Sequence, residues 1–280
     1  MLSFYLITLY YTIDKQNREV MYLNFVKYEQ KDFIAYVTLN RPEMLNAFNF
    51  EMLEELRKVV ESIQIHPDIR IVIITGAGEK SFSVGADLKE RRSLPDALVK
   101  RNLNRFGEVF TLIEQLPQPT ICALNGYAFG GGMELALACD FRIAADHITL
   151  GLTETSLGII PGAGGTQRLP RLIGEAKALE LILMAKRMTA HEAFQYGILT
   201  KIAPLENFHE VTAAFAAAIL QNAPIAIQQA KFAVKQGMKT DIQTGLQIER
   251  KAYELTIPTE DRIEALNAFA EKRPPQFKGK

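Results

Sequence analysis

The pattern of apolar residues in this 280-residue chain predicts an α/β domain that continues into a mostly helical region. Short β-branched runs alternate with amphipathic helix patterns through the first half, as in a sheet flanked by helices. Gly-rich turns join these segments, and no long polar linker divides the chain. From residue 162 onward, apolar residues at three- and four-residue spacing dominate, the periodicity of helices packed by one face.

Taken in order, residues 23–28 and 33–39 are rich in β-branched and aromatic residues around a charged turn, an antiparallel pair. Residues 49–64 place Met52, Leu53, Leu56, Val59, Val60 and Ile63 on one helical face, and Pro67 lies just past the end. The run 70–75 (RIVIIT) reads as a buried strand. A Gly-rich loop follows, then a helix across 97–116 closed by Pro117 and Pro119. Residues 120–124 (TICAL) form the next buried strand, before a Gly-rich turn and a helix over 132–138. Residues 141–145 and 148–152 are further strands. Helices are expected at 175–186, 189–196, 207–221, 224–236, 241–255 and 259–271, the last with Thr259 as N-cap.

Composition excludes several classes. Hydrophobic residues make up 48% and charged residues 23%, and 32 basic residues balance 32 acidic ones. A nucleic-acid binder usually carries a basic surplus, because neutralised phosphates supply most of its affinity. Cys122 and Cys139 are too few for a disulfide framework or a zinc set and suit a reducing compartment. The aromatic run 1–13 lacks the charged start and small-residue cleavage site of a signal peptide, and Asp14 ends it short of the ~20 residues of a membrane span. Residues 1–20 are expected to lie outside the core, as they would if the true start were Met21. With no targeting segment recognised, a cytoplasmic, bacterial-type location is expected.

Familiar phosphate and nucleophile signatures fail on spacing. In TGAGEKS (75–81), Glu79 stands where a P-loop needs Gly, and GAGGT (162–166) does not match a dinucleotide fingerprint. His66, His147, His191 and His209 are scattered, with no partner at metal-ligand spacing. No G-x-S-x-G elbow is present. Two loop–helix junctions remain, FSVGADLKE (82–90) and NGYAFGGGMELALACD (125–140). Each brings small residues to a helix start, where unpaired N–H groups and a partial positive charge are exposed. Aimed at one point they would form an oxyanion hole; singly they are tight turns. Glu134 follows the triple glycine among apolar neighbours, and Glu154 sits before another Gly-rich turn. Apolar surroundings raise a carboxyl pKa, so the two suit general acid–base work. Spacing alone equally allows a helix-dipole partner and a cap neighbour.

These strings, with LNRPEMLNAF (39–48) and LGLTETSLGIIPGAGGTQRLPRLIG (150–174), resemble the crotonase (enoyl-CoA hydratase/isomerase) superfamily from about residue 23 to the C-terminus. ADLKERRSL and the C-terminal stretch are most similar to its methylglutaconyl-CoA hydratase subgroup. The resemblance implies a crotonase-like spiral of ββα units over residues 21–200 and a helical trimerisation region over 201–280. It also implies that Ala86 and Gly131 supply the oxyanion N–H groups, that Glu134 and Glu154 are the acid–base pair, and that Gly162 helps hold a water. Ala86, Asp87, Leu88 and Lys89 would line the thioester and pantetheine path, and Asn46 and Ala47 the loop that meets coenzyme A.

With both glutamates kept, the resemblance implies hydration of a 2-enoyl-CoA to a 3-hydroxyacyl-CoA, water activation falling mainly to Glu134 and C2 protonation to Glu154. Methylglutaconyl-CoA hydratase of leucine breakdown and 3,2-enoyl-CoA isomerase are the alternatives. No metal or separate cofactor is implied; coenzyme A arrives as part of the substrate. RNA binding is disfavoured, since helix 49–64 carries Glu51, Glu54, Glu55 and Glu61 against Arg57 and Lys58. A homotrimer or a homohexamer built as a dimer of trimers is expected. Val211, Phe215 and Ile219, and Ile225, Phe232 and Val234, have no sheet surface assigned to them and are expected in the interface.

Overall fold

The structure, a computed structural model, describes residues 11–13 and 19–280. Most of the expected N-terminal extension therefore lies outside the described residues. Its described parts, β1 (Tyr11–Ile13) and β2 (Glu19–Tyr22), pair antiparallel and lengthen one edge of the main sheet.

The expected antiparallel pair is β3 (Val26–Lys31) and β4 (Ile34–Leu39), joined by a two-residue turn with Asp32 at φ 52°. α1 (Phe50–Ile65) follows, its first turn capped by the Asn49 side chain, which accepts from the Met52 N–H. All six apolar positions predicted for its inner face are buried. β5 (Ile71–Gly76) returns parallel to β4. Then come β6 (Ser81–Ser83), a short helix α2 (Leu88–Ser93) and α3 (Asp96–Gln115). β7 (Thr120–Leu124), β8 (Tyr127–Phe129) and α4 (Gly131–Ala138) form the next unit. β9 (Phe141–Ala145) and β10 (Thr149–Gly151) begin another, completed by α5 (Gly165–Ile173) and α6 (Glu175–Leu183). β11 (Met188–Thr189), α7 (Ala190–Gln195) and β12 (Lys201–Ala203) close the core.

The order of pairing makes this a spiral of ββα units. In the units that begin with β5, β7 and β9 the first strand joins the main sheet, β1-β2-β3-β4-β5-β7-β9-β12, which is parallel from β4 onward. The second strand joins a smaller sheet, β11-β10-β8-β6. Of the smaller sheet, whose strands are two or three residues long, only β10 falls within an expected strand (148–152), and α5, which carries Pro170 internally, lies outside the expected helices. β12 also belongs to the main sheet, so sheet pairing extends past residue 200 into the segment expected to be helical.

Four helices follow: α8 (Phe208–Leu220), α9 (Pro224–Gly237), α10 (Ile242–Glu254) and α11 (Glu260–Glu271). α8 departs from expectation. Val211, Phe215 and Ile219 pack on the chain's own core, Phe215 edge-on to Phe141 at 5.0 Å. The reason is β12, which extends the sheet and gives α8 a surface to cover. Phe232 and Val234 on α9 do stand exposed. α9 is tied to the core through Lys231, whose ammonium meets the Asp140 carboxylate and the Gln118 carbonyl.

Candidate active site

Two chain crossings bring the helix starts together. After β6 the backbone turns through Gly85 at φ 89° into Ala86 and Asp87. Asp87 caps α2, its Oδ1 accepting from the N–H groups of Lys89 and Glu90. Arg41 bridges Asp87 (3.1 Å) and the Ala47 carbonyl (2.7 Å), locking this junction to the loop after β4. Burial raises the Asp87 pKa, but the two backbone N–H bonds and Arg41 outweigh it and hold the carboxyl below its usual range. Phe48 donates to the Gly85 carbonyl and accepts from the Asp87 N–H. The Ala86 N–H between them donates to no other described residue, and neither does that of Gly131. The two glycine turns touch: a Cβ on Gly85 would lie 2.8 Å from the Gly131 nitrogen. Gly130, at φ 52°, makes the turn into α4, and a Cβ on Gly132 would collide with the Ser83 carbonyl.

Both junctions open on a cleft of about 1230 Å³. Ala47, Ala86, Asp87, Leu88, Lys89, Gly131, Glu134, Glu154 and Gly162 all line it. Asn46 does not. It is fully buried, its Nδ2 donating to the carbonyls of Ala77 (3.0 Å) and Ser81 (2.8 Å) while Oδ1 accepts from the Arg41 N–H. Its φ of 54° turns the backbone so that the side chain staples the loop from behind, leaving Ala47 at the cleft.

The carboxylates differ in their surroundings. Glu134, 3% exposed, accepts through Oε1 from the N–H groups of Ala163 (2.7 Å) and Gly165 (2.8 Å). Burial holds its pKa above the usual carboxyl range, and those N–H groups, that of Gly162 and the nearby Arg168 offset this only in part. Glu154, 8% exposed, begins the turn Glu154–Leu157, and its Oε2 has no hydrogen-bond partner. Burial first, and then the Glu134 charge, push it up to about 7. Glu134 is thus tied to backbone donors, while Glu154 keeps one unpartnered oxygen and a proton affinity near neutrality. Two carboxyls in different surroundings on one cleft suit general acid–base chemistry.

Sequence reasoning missed four contributors. Arg41 and Arg168 hold backbone loops and carry no periodic signal. Leu103 and Phe106 on α3 wall the cleft; helical spacing alone does not say which residues of that helix face it. Phe106 packs edge-on with Phe48 and Phe110, its ring 3.3 Å from where a Cβ on Gly131 would sit. Among the described residues, no cluster of three His, Cys, Asp or Glu side chains is placed to hold a metal.

Known proteins share this architecture. Residues 29–280 match the enoyl-CoA hydratase/isomerase family. A crystal structure of an enoyl-CoA hydratase from Bacillus anthracis superposes with a TM-score of 0.90 at 46% identity, covering 92% of this chain and 100% of that one. A short-chain-enoyl-CoA hydratase from Clostridium acetobutylicum is 41% identical over 90% of this chain and 97% of its own length. The mouse mitochondrial methylglutaconyl-CoA hydratase is 43% identical over 90% of this chain and 81% of its own. With the ββα spiral, the paired glycine turns and the family match spanning nearly the whole chain, the protein belongs to the enoyl-CoA hydratase/isomerase family, the crotonases.

Proposed function

We propose that the protein hydrates 2-enoyl-CoA thioesters to 3-hydroxyacyl-CoA. The observation that carries this reading is the convergence of two buried carboxyls, Glu134 and Glu154, on one cleft beside two N–H groups that have no acceptor among the described residues. The thioester oxygen sits against the Ala86 and Gly131 N–H groups. Each such donor lowers the barrier by about 3–4 kcal/mol as negative charge develops. Water, held near Glu134 and Gly162, adds its oxygen to C3 as Glu134 takes its proton. The electron pair of the double bond passes into the enolate, and C2 receives a proton from Glu154. Coenzyme A is part of the substrate, and the reaction as proposed needs neither metal nor nicotinamide. Lys89 and the exposed Leu88 line the path that the pantetheine arm would follow.

Crotonyl-CoA tests the reading. Hydration lowers the absorbance of the conjugated thioester, and no loss with any 2-enoyl-CoA would overturn it. A 3-enoyl-CoA converted to the conjugated form would instead support the isomerase alternative. A panel of linear, branched and carboxylated substrates decides between a general and a methylglutaconyl-type hydratase. No nucleic-acid partner is proposed: on α1, Arg57 is already paired with Glu54 and Glu61. Among the described residues no single helix is long and apolar enough to cross a membrane. A cytoplasmic location is part of the proposal, in keeping with the free thiols of Cys122 and Cys139. So is a trimer or dimer of trimers, which would cover the exposed Phe232, Val234, Met238, Leu246 and Phe269 of the last helices.

A further inference from the structure

We propose that Arg168 is a positioning residue for Glu134: it clamps the turn 163–165 against α3, so that the turn's N–H groups keep Glu134 an acceptor. Arg168 stands in the second turn of α5 and does not line the cleft. Its Nη1 donates to the Ala163 carbonyl at 2.8 Å. Nη2 and Nε donate to Glu114 Oε2 on α3 at 2.8 and 3.2 Å. The side chain is 14% exposed. The carbonyl it grips belongs to the residue whose N–H, in the preceding peptide, holds Glu134. The guanidinium lies across Gly164, whose φ of 108° is a conformation that favours glycine, and a Cβ there would strike it. The clamp thus removes freedom that two adjacent glycines would otherwise leave.

The charge acts in the same direction as the geometry. Facing Glu134 are Glu154 from the turn after β10 and Arg168 from α5. Behind Arg168 stands Glu114 from α3, held below its usual pKa as Arg168, Lys235 and Lys239 outweigh its burial. Methionine at 168 removes both clamp and cation, so the Glu134 carboxyl must titrate at higher pH. Lysine restores a cation, but one ammonium lacks the planar fork that serves two acceptors at fixed angles.

The inference uses the hydratase reading only for its kinetic arm. The primary readout is a carbon NMR titration of protein labelled at the glutamate carboxyl carbons, with Glu134 assigned from the Glu134→Gln spectrum. In Arg168→Met the Glu134 titration is expected to move up. On crotonyl-CoA its kcat should fall about tenfold or more, with KM little changed, as for a misplaced reacting group. Arg168→Lys should bring the titration back while recovering only part of kcat, and it keeps the question open to refutation if the methionine variant does not fold. A Glu134 titration unchanged in Arg168→Met overturns the proposal. So does an Arg168→Lys variant that folds and keeps the full wild-type kcat. If the wild-type protein fails to hydrate enoyl-CoA, the functional reading fails while the titration still tests the clamp.

Discussion

Glu154→Gln separates what this carboxyl does for stability from what it does for catalysis. Folding raises its pKa from 4.5 to about 7. A raised carboxyl pKa means that the folded protein binds the proton more tightly than the unfolded chain does. Stability is therefore greatest below pH 4.5, falls as pH rises, and levels off above about 7. At 1.36 kcal/mol for each pH unit, the full penalty is about 3 kcal/mol. Glutamine matches the protonated acid in shape and never ionises. The variant should thus equal the wild type at low pH and surpass it at high pH. Between about pH 5 and pH 8.5 its advantage should grow by roughly 2.5 kcal/mol, or about 5 °C in Tm for a chain of this size. Thermal melts at fixed protein concentration across that range measure it, alongside turnover on crotonyl-CoA, which should drop about 100-fold or more with loss of the proton donor. A variant whose Tm difference from wild type is the same at both pH values would refute the argument that burial and the Glu134 charge strain this group.

The same ionisation should appear in the rates: wild-type kcat/KM is expected to decline as pH rises through about 7, and a profile flat to pH 9 would remove Glu154 as the acid. Glu134→Gln should bind CoA thioesters but lose about 100-fold or more in turnover; near-normal rates would take Glu134 out of the mechanism. Gly132→Ala should destabilise the fold by ~1–3 kcal/mol, the usual cost of overpacking, because its Cβ meets the Ser83 carbonyl; an unchanged melting point would show that α4 can shift freely. Sedimentation equilibrium should find three or six chains per particle, and a single species at 31.4 kDa would count against the assembly.

Much of this protein was legible locally. The strands 71–76 and 120–124 are mostly apolar because they are covered on both faces, and α1 announces its buried face by spacing. The helix start at Thr259 follows from its capping side chain, which acts within three residues. The glycine turns and the two glutamates were visible as strings, since close backbone approach admits little but glycine.

Other features exist only through contacts between distant segments. Whether two helix starts face one point depends on how β6 and β8 pair, and those strands are too short to carry a period. That Asn46 turns away from the cleft depends on carbonyls 31 and 35 residues further along the chain. That α8 covers its own sheet depends on three residues of β12 lying beside β9. The proton affinities follow the same rule. A glutamate among apolar letters is only a candidate, and it becomes an acid or an acceptor according to whether backbone N–H groups from a turn some 30 residues away reach it, as they do for Glu134. Short-range preferences fix elements, because their physics is local to a turn of chain; desolvation and hydrogen bonding at the site are sums over every segment that folding brings there, and only the tertiary structure performs that sum.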